Sequence, residues 1–198
     1  MNSMKLAEAK GYANQLSMWL RPYCERLEVA GSIRRERPQC NDVDIVCIPK
    51  IIEEADLTGE VVGRRNLVQE FVERHVKASS GRAKIVSQGD KQIILELPNK
   101  VQLDLWFADD RTWATRLMCR TGSMKHNIQL CEIAKGLGLH WNPYEGIEGK
   151  DCSTEEAIYK ALGLKFIEPK DRESVPAQAK DQGTAEVQLP PPPMPEAA

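Results

Sequence analysis

No run of apolar residues in this chain approaches the length that crosses a bilayer, and the N-terminus lacks the apolar core of a secretory signal. Those absences speak against a membrane span and imply a cytoplasmic, intracellular protein. No C-x-x-C pair occurs among the six cysteines, which argues against zinc. Their scatter, with Cys47 in a strand pattern and Cys131 in a helix pattern, predicts reduced thiols. An excess of positive charge is missing too: 27 Lys and Arg face 29 Asp and Glu, for a formal net charge of −2. A basic surface is the usual footprint of a nucleic-acid binder. Part of the deficit belongs to the C-terminus. Six acidic and three basic residues lie from Glu168 onward, which leaves 24 basic against 23 acidic in the body. Basic residues do cluster, as Arg34-Arg35-Arg37, Arg64-Arg65 and Arg116/Arg120/Lys125. Such patches can hold individual phosphates but do not imply a long DNA footprint. At 198 residues, 41% hydrophobic and 28% charged, the chain reads as globular, with one domain or two small lobes.

What the chain does carry is concentrated in residues 30–44. Ala30-Gly31-Ser32-Ile33-Arg34-Arg35 is followed by Asp42-Val43-Asp44. Gly31 and Ser32 supply a tight turn whose backbone N–H groups suit a phosphate. Asp42 and Asp44 lie two apart in an apolar run that reads as a strand, so they share a face. Two carboxylates on one face repel, and a divalent metal is the usual solution. Asp104 sits in a second alternating stretch, 101–107, where a lone charge is costly without a partner. If the two strands are neighbours, three carboxylates converge. The chemistry implied is metal-assisted transfer to or from a phosphorylated substrate, most simply a nucleoside triphosphate.

The periodicity predicts a helix over 4–26 with Leu6, Ala9, Tyr12, Leu16 and Trp19/Leu20 on one face, broken or kinked near its end by Pro22. Strands are expected at 27–30 and 42–49. Residues 57–76 read as mostly helix after a loop, with Val68, Phe71, Val72 and His75/Val76 inward. Further strands follow at 83–86, 92–97 and 101–107, the last two joined by a hairpin at Pro98-Asn99-Lys100. Helices are expected at about 111–119 and 123–137. Ser153 with Glu156 forms a capping box opening a last helix to about Leu162, stopped by Gly163.

Five stretches, in order over about residues 5–172, resemble the catalytic portion of family X DNA polymerases, the group of DNA polymerase beta, polymerase lambda and terminal transferase. They are Gly31-Ser32-Ile33-Arg34-Arg35 with Asp42 and Asp44; 101–105 with Asp104; Thr121-Gly122-Ser123-Met124-Lys125-His126-Asn127; Gly138-Leu139-His140-Trp141-Asn142-Pro143-Tyr144; and 153–164 followed by Phe166-Ile167-Glu168-Pro169. The first alone indicates only the wider nucleotidyltransferase superfamily. The T-G-S-x-x-x-N element and the E-E-x-I-Y-x-x-L-G-L close are much more specific.

The resemblance implies an α+β fold: a palm with a mixed or antiparallel sheet backed by helices (1–108), a small α-rich nucleotide-binding lobe (109–167), and a disordered proline-rich tail (168–198). It implies a two-metal mechanism with Mg²⁺, for which Mn²⁺ could substitute. Asp42 and Asp44 would ligate both ions and Asp104 the ion at the primer end. Ser32 and Arg35 would hold the triphosphate, with Gly31 and backbone groups near Cys40 and Asn41. Gly122 would leave room for the sugar beside Arg120 and Thr121, and Asn127 would meet the minor-groove edge of the base. The expected partners are nucleoside triphosphates and gapped or primer–template DNA, met by a monomer. The tail could dock on a partner's aromatic groove.

Departures from the family pattern stand beside the matches. Cys119-Arg120 replaces the aromatic or glycine–aromatic pair that stacks under the sugar and discriminates against ribose, Cys131 stands where template-reading members usually place an arginine, and Gln102 precedes Asp104 by two where an arginine is usual. The expected form is minimal, palm plus lobe, without lyase activity and weakly processive. His75 reads as a core or boundary residue, His126 as orienting its turn, His140 as surface. Trp106, Trp113 and Trp141 read as packing residues, with Trp113 also a candidate near the sugar. The leading expectation is short-gap filling in DNA repair. The alternatives are a template-independent terminal transferase and a non-catalytic scaffold that binds DNA ends or nucleotides.

Overall fold

The structure, a computed structural model, describes residues 3–174. The elements run β1 (Met4–Lys5), α1 (Leu6–Leu20), β2 (Cys24–Val29), α2 (Gly31–Arg34), β3 (Gln39–Cys40), β4 (Asp42–Pro49), β5 (Ile51–Ala55), β6 (Val61–Asn66), α3 (Leu67–Ala78), β7 (Lys84–Gly89), β8 (Gln92–Glu96), β9 (Gln102–Phe107), α4 (Trp113–Thr121), α5 (Met124–Gly136), β10 (Trp141–Asn142), β11 (Gly146–Ile147) and α6 (Glu155–Ala161). Short 3₁₀ turns stand at Arg21–Tyr23 and Pro169–Asp171. This is the expected α+β class with a mixed sheet backed by helices. Five strands form the main sheet in the order β2-β4-β9-β8-β7, with β4 and β9 parallel and the other pairs antiparallel.

Alternation along the strands explains the layers. Val43, Ile45 and Cys47 of β4, Leu103, Leu105 and Phe107 of β9, and Ile93 and Leu95 of β8 are buried against Ala9, Ala13, Leu16 and Leu20 of α1 and Val68, Phe71 and Val72 of α3. Each large apolar side chain buried this way contributes roughly 1.5–3 kcal/mol relative to exposure. A one-residue slip would turn that whole set outward. The register that protects the core therefore pins Asp42, Asp44 and Asp104 to the opposite face. A second apolar cluster gathers Ala30, Val46 and Ile48 with Trp113, Leu117 and Met118 of α4, Leu130 and Ala134 of α5, Ile158 and Tyr159 of α6, and Leu162, Leu164 and Ile167.

Several boundaries differ from expectation. The first helix stops at Leu20, because Pro22 enters a 3₁₀ turn and the chain is already in strand at Cys24. Trp19 is half exposed, and Ala13 takes the inward place instead. Residues 57–66 are not helical. They close a β5–β6 hairpin whose turn is tied by the Asp56 carboxylate, which accepts from the Thr58 N–H at 2.8 Å and its hydroxyl at 2.6 Å. Cross-strand pairs Glu53–Arg64 (2.9 Å) and Glu54–Arg65 (3.5 Å) hold this exposed ribbon. In the helix that follows, Val68, Phe71 and Val72 are buried as expected and Val76 partly so, whereas His75 is exposed on the helix surface against the Phe71 ring; Asn66 caps the helix by accepting from the N–H groups of Val68 and Gln69. At α6 the cap is Thr154, which accepts from Ala157 N–H at 3.1 Å, rather than Ser153 with Glu156. Residues 168–173 belong to the folded body and not to a tail, since Arg172 is fully buried. The rest of the expected tail, 175–198, lies outside the described residues. All six cysteines are free thiols. Among the described residues no helix is long and apolar enough to cross a membrane.

Candidate active site

The site starts where β2 hands over to α2. Ala30 N–H donates to the Asp44 carbonyl at 2.9 Å, and the chain turns at Gly31 with φ +58°. A Cβ at Gly31 would lie 1.9 Å from Asp44 Oδ2. Only glycine lets the backbone pass so close to that carboxylate in a left-handed conformation.

The parallel pairing of β4 and β9 sets Asp42 opposite Gln102, Asp44 opposite Asp104 and Val46 opposite Trp106. Three carboxylates thus share one face of two adjacent strands. Burial pushes the Asp44 carboxyl up to about 7, helped by the charges of Asp42 and Asp104 and opposed by the Trp106 indole and Arg120. Burial also raises Asp42, against Arg35, and raises Asp104, against the Gln102 amide. Trp106 Nε1 donates to Asp44 Oδ1 at 3.3 Å, and Gln102 Nε2 donates to Asp104 Oδ1 at 2.8 Å. The Arg120 guanidinium stacks on the Trp106 ring, 3.4 Å from its centroid.

These strands open into a cleft of about 970 Å³ whose walls include Gly31, Ser32, Arg35, Asn41, Asp42, Asp44, Arg120, Gly122 and Asn127. The Ser32 hydroxyl oxygen is buried there with no hydrogen-bond partner. Arg35 donates through Nη1 to the Thr121 carbonyl and through Nε to Glu173 at 3.2 Å. Gly122, at φ +70°, brings the backbone so close that a Cβ would stand 3.2 Å from Arg35 Nη1. Asn127 Nδ2 donates to the Cys119 carbonyl at 2.8 Å. Cys131 lies on the cleft wall.

Not every expected residue faces the cleft. Cys40 is buried, with its thiol toward the Arg37 carbonyl at 3.6 Å. The Thr121 hydroxyl is buried and accepts from Arg34 Nη1 at 2.7 Å, so only its carbonyl reaches Arg35. Asp104 is 9% exposed and does not line the cleft itself, although the β4–β9 register sets it beside Asp44, which does. Trp113 is buried under Arg26 and does not line the cleft. His126 is fully buried, its Nε2 2.7 Å from the Tyr159 hydroxyl.

Four residues take polar roles in or beside the site that the sequence reading does not give them, Trp106 among them, which reads there only as packing. Trp106 and Gln102 alternate with Asp104 on β9, and that period of two was the available signal. Arg34, the other half of the Arg34-Arg35 doublet, points away from the cleft. It clamps Glu155 at 2.9 and 2.6 Å, and Arg172 Nη1 meets the same carboxylate at 2.6 Å. Glu173 had no signal at all, because it reads as part of the tail.

The donor set is hard oxygen: three carboxylates that repel one another, all raised, on one face. That chemistry fits a hard divalent cation. As the side chains stand, no three His, Cys, Asp or Glu groups among the described residues are posed as a ready metal-binding set. Gln102 and Trp106 hold two of the carboxylates instead.

Comparison with known proteins follows the same lines. The family described as DNA polymerase beta thumb matches residues 116–173. The DNA polymerase/3'-5' exonuclease PolX of Bacillus subtilis (strain 168) is 29% identical over 150 residues, covering 73% of this chain; the chain spans about a quarter (24%) of that relative's length. The crystal structure of Leishmania infantum polymerase beta, a ternary P/T complex, superimposes with a TM-score of 0.63 over 87% of this chain and 77% of the other, at 17% identity, a likeness of fold. The chain is thus similar to a polymerase beta thumb over 116–173, beyond the strands that carry Asp42, Asp44 and Asp104, and similar to polymerase beta in fold over most of its described length.

Proposed function

We propose that the chain is a nucleotidyltransferase that adds a nucleotide from a nucleoside triphosphate to a DNA 3'-hydroxyl at a short gap or primer end. The observation that carries this reading is the Asp44–Asp104 register beside the cleft of Ser32 and Arg35. Asp42 and Asp44 would hold two Mg²⁺ ions, with Asp104 on the one at the primer. When bound, those ions lower the pKa of the attacking hydroxyl and neutralise the triphosphate and leaving pyrophosphate. Arg35 donates to the triphosphate, and the unpartnered Ser32 hydroxyl gains a phosphate oxygen. Asp104, already raised by burial, accepts the hydroxyl proton. Gly122 keeps the wall open for the sugar, and Asn127, braced on Cys119, presents its amide to the base edge. The chain is read as a palm up to 108 and a nucleotide-binding lobe after it, with Ala30, Val46 and Ile48 of the palm packing into the lobe's apolar cluster.

The test is extension of an end-labelled primer with Mg²⁺, alone and across a one-nucleotide gap, beside Asp104→Ala. Templated addition in the gap is expected, with the variant inactive. Addition to the bare primer would replace this reading with a terminal transferase. No extension by either protein on either substrate would overturn the polymerase reading.

A further inference from the structure

A residue of the chain itself stands in the cationic end of the cleft. Glu173 Oε1 accepts from Arg35 Nε at 3.2 Å and lies 3.5 Å from Arg37 Nη1. The backbone that carries it is anchored firmly. Arg172 is fully buried, with Nε on the Ile167 carbonyl at 2.8 Å and Nη1 on Glu155 at 2.6 Å. Ser123 N–H donates to the Arg172 carbonyl at 2.9 Å, and the Ser123 hydroxyl donates to the Glu173 carbonyl at 3.1 Å. The Glu173 side chain, by contrast, is 45% exposed and faces the cleft. Its backbone is held inside the fold, while its carboxylate reaches the two arginines from the solvent side.

Carboxylate and phosphate oxygens compete for the same guanidinium donors. We infer that Glu173 is a resident anion in the phosphate subsite, which an incoming triphosphate must displace from Arg35 and Arg37, so that this residue sets the nucleotide affinity. The inference rests on reading the cleft as a triphosphate site. One anion replaces another on Arg35, and the released carboxylate rotates into water on its anchored backbone. The pair is partly exposed, and such pairs couple weakly, so its loss should tighten binding by about two- to five-fold.

The experiment is calorimetric titration of the full chain with inorganic tripolyphosphate at fixed Mg²⁺, for wild type, Glu173→Gln, Glu173→Ala and Arg35→Gln. The expected result is two- to five-fold tighter binding by both Glu173 variants, at unchanged melting temperature, and much weaker binding by Arg35→Gln. Weakening by Arg35→Gln with Glu173 variants equal to or weaker than wild type overturns the inference and leaves the triphosphate site standing. Equal binding by Arg35→Gln and wild type overturns the site reading, and the inference with it.

Discussion

Removing the charge of Glu155 should loosen the junction between sheet and C-terminal lobe more than any other single polar change. Its carboxylate accepts from Arg34 Nη1 at 2.9 Å, Arg34 Nη2 at 2.6 Å and Arg172 Nη1 at 2.6 Å. Burial alone would push Glu155 up, but the hydrogen bonds and charges of Arg34 and Arg172 outweigh it and hold the carboxyl below its usual range. Glu155→Gln keeps the shape and leaves two guanidinium groups facing each other. Arg172 has no exposure to water, and its Nη2 already lacks a partner. Breaking a buried pair in this way costs about 3–5 kcal/mol. At about 2–4 °C per kcal/mol for a domain of this size, the melting temperature should fall by about 6–20 °C. Circular dichroism melts at pH 7 would read this directly. Replacing Arg34, Glu155 and Arg172 together by Met or Leu should recover part of the loss, since no buried charge is then left over. A Glu155→Gln melt within a degree of wild type would refute the reasoning. So would a triple variant no better than the single one.

Two further outcomes follow. Burial pushes His126 down to about 4 from an ordinary value near 6.5. The unfolded chain therefore binds more protons between those values, so stability is full above about pH 6.5 and falls toward pH 4, by about 3 kcal/mol at most. Urea midpoints measured across that window should show the loss in wild type and flatten in His126→Gln; parallel curves would contradict the assignment. Gly31→Ala should cost roughly 1–2 kcal/mol for its left-handed backbone. It should also move Asp44, whose Oδ2 lies 1.9 Å from the new Cβ, and a misplacement of that order costs about 100-fold in nucleotide addition. Wild-type rates for Gly31→Ala in the gap-extension assay would show that the carboxylate has slack the packing does not suggest.

Where the fold was legible in the sequence, the signal was local. Alternation in 42–49 and 101–107 marked both strands and the face of each aspartate, because a period of two is a property of consecutive residues. The β5–β6 hairpin escaped for the opposite reason. Both its faces are exposed and its cross-strand partners are charged, Glu53 with Arg64 and Glu54 with Arg65, so no apolar alternation announces it. The cap of α6 slipped by one residue because Ser153 and Thr154 are both competent acceptors, and only geometry chooses between them.

By itself, the sequence determined which residues can do chemistry here: three carboxylates on strand faces, a glycine–serine turn, and arginines next to it. Tertiary structure decided which of them meet. The pairing of Asp44 with Asp104 depends on two distant strands lying parallel and in one register, and the burial of Val43, Ile45, Leu103 and Leu105 selects that register. The division of labour between neighbours Arg34 and Arg35, one locked on Glu155 and the other in the cleft, was equally out of reach of local pattern. Adjacent side chains diverge, and their partners lie more than a hundred residues along the chain, where only the folded packing brings the opposite charges together.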